Sequence, residues 1–314
     1  MVPSRTLLLN TFWLNFHLGY ACRHGGVCCS SGWPIPVERD HVIPIRARAA
    51  RADESWLIPA IDAPAEVAGN LALGPDGHCV FHGPGGAVHA ARPVSCAHFP
   101  FIGLIDARGV HVTLSHYCPT AASMLFDDYG PIEIVEGPSP VAGFEIPEGL
   151  GARESLPPLA SPNRLMTFAA FSAWERLAIS PAAEAQSISA DTVLFEHPRR
   201  AVPAPWSWRA APPDIEEHWN AFVASAWPGF APVVQRYRAA HLFASWAAYT
   251  GDGIPAVLRA ADMALAVLRV EATRQDLAAG GELDVELLKQ AIRHSDLLLV
   301  HYADPRVLSS GTTP

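Results

Sequence analysis

No cysteine follows residue 118 in a chain of 314 residues; the six stand at positions 22, 28, 29, 79, 96 and 118. Charge is also scarce, at 17% of residues, with 22 basic against 31 acidic side chains and a net charge of −9. A nucleic-acid surface needs clustered Lys and Arg to displace counterions. The nearest approach to a basic run, Arg46, Arg48 and Arg51, reads as a solvated face, so a nucleic-acid partner is excluded. No stretch reaches the roughly 18 apolar residues of a spanning helix. The N-terminal "TLLLNTFWLNFHLGYAC" is broken by Asn10, Asn15 and His17, which suits neither an export signal nor a membrane span. A lipoprotein-type cleavage before Cys22 would want Leu where Gly19 stands. These absences lead to the expectation of a cytoplasmic, reducing location without a membrane partner. There is no internal repeat, and nothing in the pattern fixes an oligomeric state.

What is present is a globular composition, half of it hydrophobic, in a chain longer than one core usually organises. Residues 21–130 are rich in Gly and Pro, and nine of the fourteen histidines occur by residue 116. Short apolar runs such as "FPFIGLI" and "VTL" predict brief strands. Residues 131–162 are dense in Pro, Gly and Glu and read as a linker or an extended surface connection. From Ser161 the pattern turns helical, with Ser161-Pro162 as a start signal before "NRLMTFAAFSAWERLA". Ile215, Trp219, Phe222, Val223 and Ala226 fall at helical spacing. Further helices are predicted over about 232–249, from Pro255 to Gly280-Gly281, and from about Asp284 to before Pro305. "DTVLFEHP" is ambiguous. The expected fold class is α+β: an irregular, cysteine-rich, metal-binding N-terminal domain with short strands (1–130), a connection (131–162) and a mainly α-helical C-terminal bundle (163–314).

The cysteine spacing is CX5CC, then 49 residues, then C-X16-C-X21-C. Thiolate ligands must converge within about 2.3 Å of a zinc ion or hold the irons of a cluster. Loops stiffened by Gly and Pro, as around Cys79, Cys96 and Cys118, hold such a geometry well. An adjacent pair such as Cys28–Cys29 resists an ordinary mutual disulfide and offers one ligand, or two across a sharp turn. In a reducing compartment clustered cysteines point to metal rather than disulfides, and all-thiolate ligation points to zinc or iron–sulfur. Buried cysteines acting as small hydrophobes are the plain alternative. The expected metal ligands are Cys22, Cys28, Cys29, Cys79, Cys96 and Cys118.

The order Phe16 and Cys22, the CC pair with Gly32, Trp33 and Ile35, then G-x-C-x-F, R-P-x-x-C-x-x-F-P and Cys118-Pro119 resembles the cysteine-cluster family. Within it, the pattern is most similar to the flagellin lysine-N-methylases. The specific motifs cover residues 16–126, with a looser likeness over about 230–302. "RHGGV" lacks the additional Cys of the family, Ala97 stands where it has Arg, and Ser30-Ser31 make the segment after the CC pair one residue longer. His24 and His98 are the residues that would replace a missing thiolate. The resemblance implies an iron–sulfur cluster (4Fe–4S) or zinc, a helix after Cys118-Pro119 and, in the methylase branch, transfer of a methyl group from S-adenosylmethionine to lysines of a flagellin-like protein substrate. A non-catalytic zinc- or iron-binding protein, its helical half an interaction module, is the alternative.

The residues themselves carry no S-adenosylmethionine motif: there is no G-x-G-x-x-G after a strand, and "HGPGG" at 82–86 reads as a turn. Tyr117, Asp127 and Asp128 are candidates for the proton acceptor that amine methylation needs, with surface polar groups and a packed ring as the plainer reading. His294 and His301, seven residues apart, share a helix face and with Asp296 either line a pocket or mark a core boundary. Ser115-His116 lacks an oriented acid and is no hydrolase signature. Six of nine tryptophans lie in the helical half and read as packing residues; "PWSWR" at 205–209 is a candidate recognition loop.

Overall fold

The computed structural model describes residues 10–303 except 24, 49–54, 61–62, 83–90, 142–148, 162, 181–192, 197–206 and 211–212. The chain forms two compact units, Met1–Tyr20 with Pro100–Pro314, and Ala21–Phe99. Among the described residues no helix is long and apolar enough to cross a membrane.

The Ala21–Phe99 unit holds strands β2 (Pro36–Glu38), β3 (Leu57–Ile58) and β4 (Val67–Leu71) in the order β2-β4-β3, with helices α1 (Arg39–Arg48) and α2 (Val94–His98). Its core is Ile35, Val37, Ile45, Trp56, Leu71, Cys79 and Ala91. Six cysteines in the whole chain, and an apolar core of ordinary kind here, correct the expectation of a cysteine-rich domain.

The larger unit begins with β1 (Thr11–Leu14), which sits inside a five-stranded sheet. β5 (Phe101–Asp106) and β6 (Gly109–Leu114), over the apolar runs that predict brief strands, pair as an antiparallel hairpin. β7 (Ile134–Gly137) and β8 (Gly149–Gly151) complete the order β7-β1-β6-β5-β8, with β1 parallel to β6 and β8 parallel to β5. Every residue of β6 is buried, His111 and Thr113 included, so both of its faces are covered. Gly109 is required at the hairpin turn: its φ is +139°, and a Cβ there would meet the Asn10 carbonyl oxygen at 2.5 Å. Two hairpins follow, β9 (Leu159–Ser161) with β10 (Arg164–Leu165), and β11 (Val193–Glu196) with β12 (Ser207–Ala210). "DTVLFEHP" is thereby strand at its centre.

Helices supply the rest of this unit, and the mixed α/β class with a helical C-terminal half stands. α3 (Pro119–Met124) follows Cys118 with proline at its first turn. α4 (Phe168–Ala178) starts at Thr167, whose Oγ1 accepts the Ala170 N–H at 3.1 Å. The Ser161-Pro162 start signal is overruled, because Ser161 is paired in β9. α5 (Pro213–His218) leads through a π-helical stretch, Trp219–Val223, into α6 (Ala224–Ala226). The wider π turn shifts the helical face, so Ile215 and Val223 are buried while Phe222 is 58% exposed. α7 (Ala231–Leu242) and α8 (Ala247–Thr250) occupy the span predicted as one helix. α9 (Ile254–Ala279) is the central helix; it ends at Gly280, whose φ of +93° is the left-handed stop that glycine permits. α10 (Val285–Asp296) begins at Asp284, which caps the Leu287 N–H at 2.8 Å, and runs into a π-helical turn, Leu297–Tyr302.

One buried ion cluster ties the β5–β6 turn to the helices. Arg108 pairs with Asp106 at 2.8 Å and Glu175 at 2.9 Å, and lies 4.4 Å from the centre of the Phe171 ring. Tyr249 donates its hydroxyl to Asp106 at 2.7 Å. Glu175 also accepts the Ala244 N–H at 3.4 Å, where φ is +55°. Replacing one partner of a buried pair strands the other charge at a cost of about 3–5 kcal/mol. Arg108→Met should therefore destabilise the protein by about that amount in urea unfolding, since two buried carboxylates lose the cation they share; a loss below about 1 kcal/mol would contradict the assigned role.

Candidate functional site

Five of the predicted ligands, Cys22, Cys28, Cys29, Cys79 and Cys96, lie in the Ala21–Phe99 unit, and Cys118 lies in the larger one. Cys28 and Cys29 occupy a short 3-10 turn, Val27–Cys29, and the Cys79 N–H donates to the Cys29 carbonyl at 2.6 Å. Cys79 is part of the apolar core, with Cys29 and Cys96 packed against it. Burial pushes the Cys96 thiol up to about 12 and raises Cys79 as well, which favours the neutral thiol at these two positions, whereas the hydrogen bond with Cys28 lowers Cys29. Cys22 is exposed; Cys118 is buried with its Sγ 3.2 Å from the Tyr20 hydroxyl. Among the described residues no group of three or more His, Cys, Asp or Glu side chains could hold a metal ion. This overturns the expected zinc or iron–sulfur function, and with it both the cluster-bearing methylase and the chelating module. In the smaller unit's core, Cys79 acts as a small hydrophobe. His24 and most of "HGPGG" lie outside the described residues, as does Trp206 of "PWSWR".

The chemistry gathers elsewhere, in a cavity of about 340 Å³ within the larger unit, a size suited to a small molecule. Aromatic and aliphatic side chains from β5, β6, the α7–α8 connection and the turn after α10 form most of its wall, including Phe101, Leu114, Phe243, Trp246, Leu299 and Val300. Five alanines, 240, 244, 247, 260 and 264, also line it. Its ionisable side chains are His116, His241, His301 and Asp296; among the described residues neither Lys nor Arg lines it.

Asp296 organises the site. It is 1% exposed, at the point where α10 continues into the π-helical turn, and burial penalises its charge. Four donors offset that cost. The His116 backbone N–H reaches Oδ2 at 2.5 Å and His116 Nδ1 at 3.1 Å; the Tyr237 hydroxyl reaches Oδ1 at 2.9 Å and His241 Nε2 at 3.1 Å. Burial alone would raise the carboxyl's pKa, but the two histidines outweigh it and hold Asp296 well below the usual carboxylate range. Tyr237 and His241 present their donors together because they stand four residues apart on α7.

An ionised carboxylate only accepts, so His116 Nδ1 and His241 Nε2 carry the hydrogens. His116 Nε2 faces His17 Nε2 at 3.1 Å, and His17 Nδ1 is 3.4 Å from the Thr113 hydroxyl. Burial, then the neighbouring His116, keeps His17 well below its ordinary pKa. His241 lines the cavity as His116 does, but its side chain is 18% exposed against 1%, and its Nδ1 makes no hydrogen bond among the described residues, whereas both ring nitrogens of His116 are engaged. A carboxylate-oriented imidazole with one nitrogen available is suited to taking and returning a proton.

His301 is the second imidazole of the wall, its Nε2 2.7 Å from the Ser115 hydroxyl. Burial lowers its pKa to about 4, against the opposing pull of Asp296. Ser115 itself is 1% exposed and does not line the cavity, so it positions His301 rather than meeting a substrate.

Sequence reasoning found part of this. Asp296 and His301 do line a pocket, but His294 turns away to Gln275 and Glu271, because the π turn between 297 and 302 breaks the seven-residue register. The acid partner judged absent for Ser115-His116 exists 180 residues later, as Asp296. Tyr117 packs its ring against His301, while Asp127 and Asp128 accept hydrogen bonds from Tyr129 and Gly130 within an exposed turn. Nothing local marked His17, Tyr237 or His241; their partners are at least 55 residues away in sequence.

The depressed histidines set a pH dependence. Below an ordinary histidine pKa near 6.5 the unfolded chain takes up protons that folded His301 and His17 refuse. Stability is therefore full above about pH 6.5 and falls as pH drops toward about 4 for His301. Asp296 adds a further loss only below about pH 4, the ordinary aspartate value, because its folded form stays ionised. Urea midpoints should decline between pH 7 and 5, less steeply in His301→Gln; a flat wild-type profile would refute this account. Comparison of the chain with protein-family models, curated proteins and solved structures gives no match, so the functional reading rests on this geometry alone.

Proposed function

We propose that the chain is an enzyme that transfers a proton on a small organic molecule bound in the cavity of its larger unit. His241 is the acid–base group and Asp296 its orienting carboxylate; Tyr237 and His116 fix that carboxylate. The observation that carries the reading is His241 itself: Nε2 on Asp296, side chain in the cavity wall, Nδ1 without a partner among the described residues. Accepting a substrate proton at Nδ1 creates an imidazolium, and Asp296 stabilises it at 3.1 Å. His301, kept neutral by burial, offers a second polar contact without bringing in charge. The mainly apolar wall lowers the local polarity around these groups, which strengthens each of these interactions. All six cysteines are free thiols, which suits a reducing, cytoplasmic setting.

The reading is tested by screening small neutral and amine-bearing compounds for binding to the full chain by NMR, then following the bound ones for solvent-deuterium uptake in D2O. Positioned acid–base groups contribute about 100- to 10,000-fold. His241→Gln should therefore slow exchange at least about 100-fold while keeping the thermal midpoint within a few degrees. Wild-type exchange rates in that variant would remove His241 from the role.

A further inference from the structure

The charge pattern of the cavity identifies what it accepts. Phosphate and carboxylate sites rely on Arg, Lys or helix N-termini, and here neither Arg nor Lys lines the wall among the described residues. Leu299, Val300 and His301 of the wall belong to the last turn of the helix that continues from α10 to Tyr302, and the C-terminal end of a helix disfavours anions. The one carboxylate in the wall among the described residues is that of Asp296, which accepts from four donors. Phe101, Phe243 and Trp246 add aromatic surface to the same wall, and the faces of such rings attract cations, Trp most strongly. Trp246 is held in place by its Nε1–H, which donates to the Gly103 carbonyl at 2.9 Å.

We infer that the ligand of this cavity is a small organic cation, an amine in its ammonium form carrying an apolar body, seated between the Asp296 field and the aromatic wall. This rests on the reading of the cavity as a substrate site and adds the chemical class. The apolar part suits the alanine and leucine surface, and the ammonium N–H groups suit His241 Nδ1 as an acceptor. An anion would meet the carboxylate at short range with no compensating cation.

Three probes of one shape separate the possibilities: benzylammonium, benzyl alcohol and benzoate, titrated calorimetrically into the full chain at pH 7.5 and low salt. Benzylammonium should bind at least about tenfold more tightly than benzyl alcohol, with benzoate weakest, a margin expected for a desolvated cation on aromatic faces near a buried carboxylate. Trp246→Leu should weaken benzylammonium about threefold to tenfold and leave benzyl alcohol within about twofold, while Trp246→Phe keeps most of the cation preference. Asp296→Asn should abolish the preference for cation over alcohol; where that variant does not fold, the Trp246 pair decides. Equal binding of alcohol and ammonium, or benzoate tightest, overturns the cation inference and leaves the proton-transfer reading to the His241 experiment. Absence of binding by all three probes also overturns the inference; unchanged exchange in His241→Gln is what would sink the underlying site.

Discussion

A carboxylate buried in a protein interior is held against the cost of its desolvation. Asp296 meets that cost by drawing donors from two other parts of the larger unit. His116 comes from the segment after β6, and Tyr237 and His241 from α7, so the charge is stable only when sheet, α7 and α10 are assembled. The same four contacts that stabilise the ion also fix the orientation of the imidazoles around the cavity. Folding and chemistry thus depend on one group, and the remaining polar atoms, His17 and Thr113 among them, continue its hydrogen-bond pattern into the sheet.

The second buried cluster shapes the wall in which this chemistry sits. Glu175 accepts hydrogen bonds both from Arg108 and from the N–H of Ala244. The Ala244 contact supports a left-handed backbone at a residue with no intrinsic taste for it. That conformation separates α7 from α8 and places Phe243, Ala244, Ser245 and Trp246 along the cavity. The salt-bridge cluster is structural, yet its geometric consequence is the position of the aromatic wall.

Local signals in the chain were read reliably where local physics decides. The Asp284 start, the Gly280 stop and the β5–β6 strands are each the product of a few adjacent residues. Long-range effects defeated the reading elsewhere. The predicted 232–249 helix breaks at Ala244 because Glu175, 69 residues earlier, holds its N–H. The N-terminal "TFWL" pairs with β6 and β7, more than a hundred residues away in register at β7. The site was half legible: Asp296 and His301 were noticed together, whereas His116 was set aside for lacking an acid whose position only the tertiary fold reveals. The cysteine pattern misled although Cys29, Cys79 and Cys96 do gather around one core, because a small buried thiol packs there as readily as an alanine.

The five alanines of the wall carry a different consequence. A protein interior is close-packed, so an internal space of this size persists only where side chains are too short to fill it. These methyl groups therefore determine the volume and outline of the chamber, while the imidazoles and Asp296 determine its chemistry. Size selectivity and reactivity are written in separate residues. Enlarging one alanine to valine would re-cut the space for a slimmer occupant without touching a titratable group, so a lineage of such chains can change what it admits while keeping how it acts.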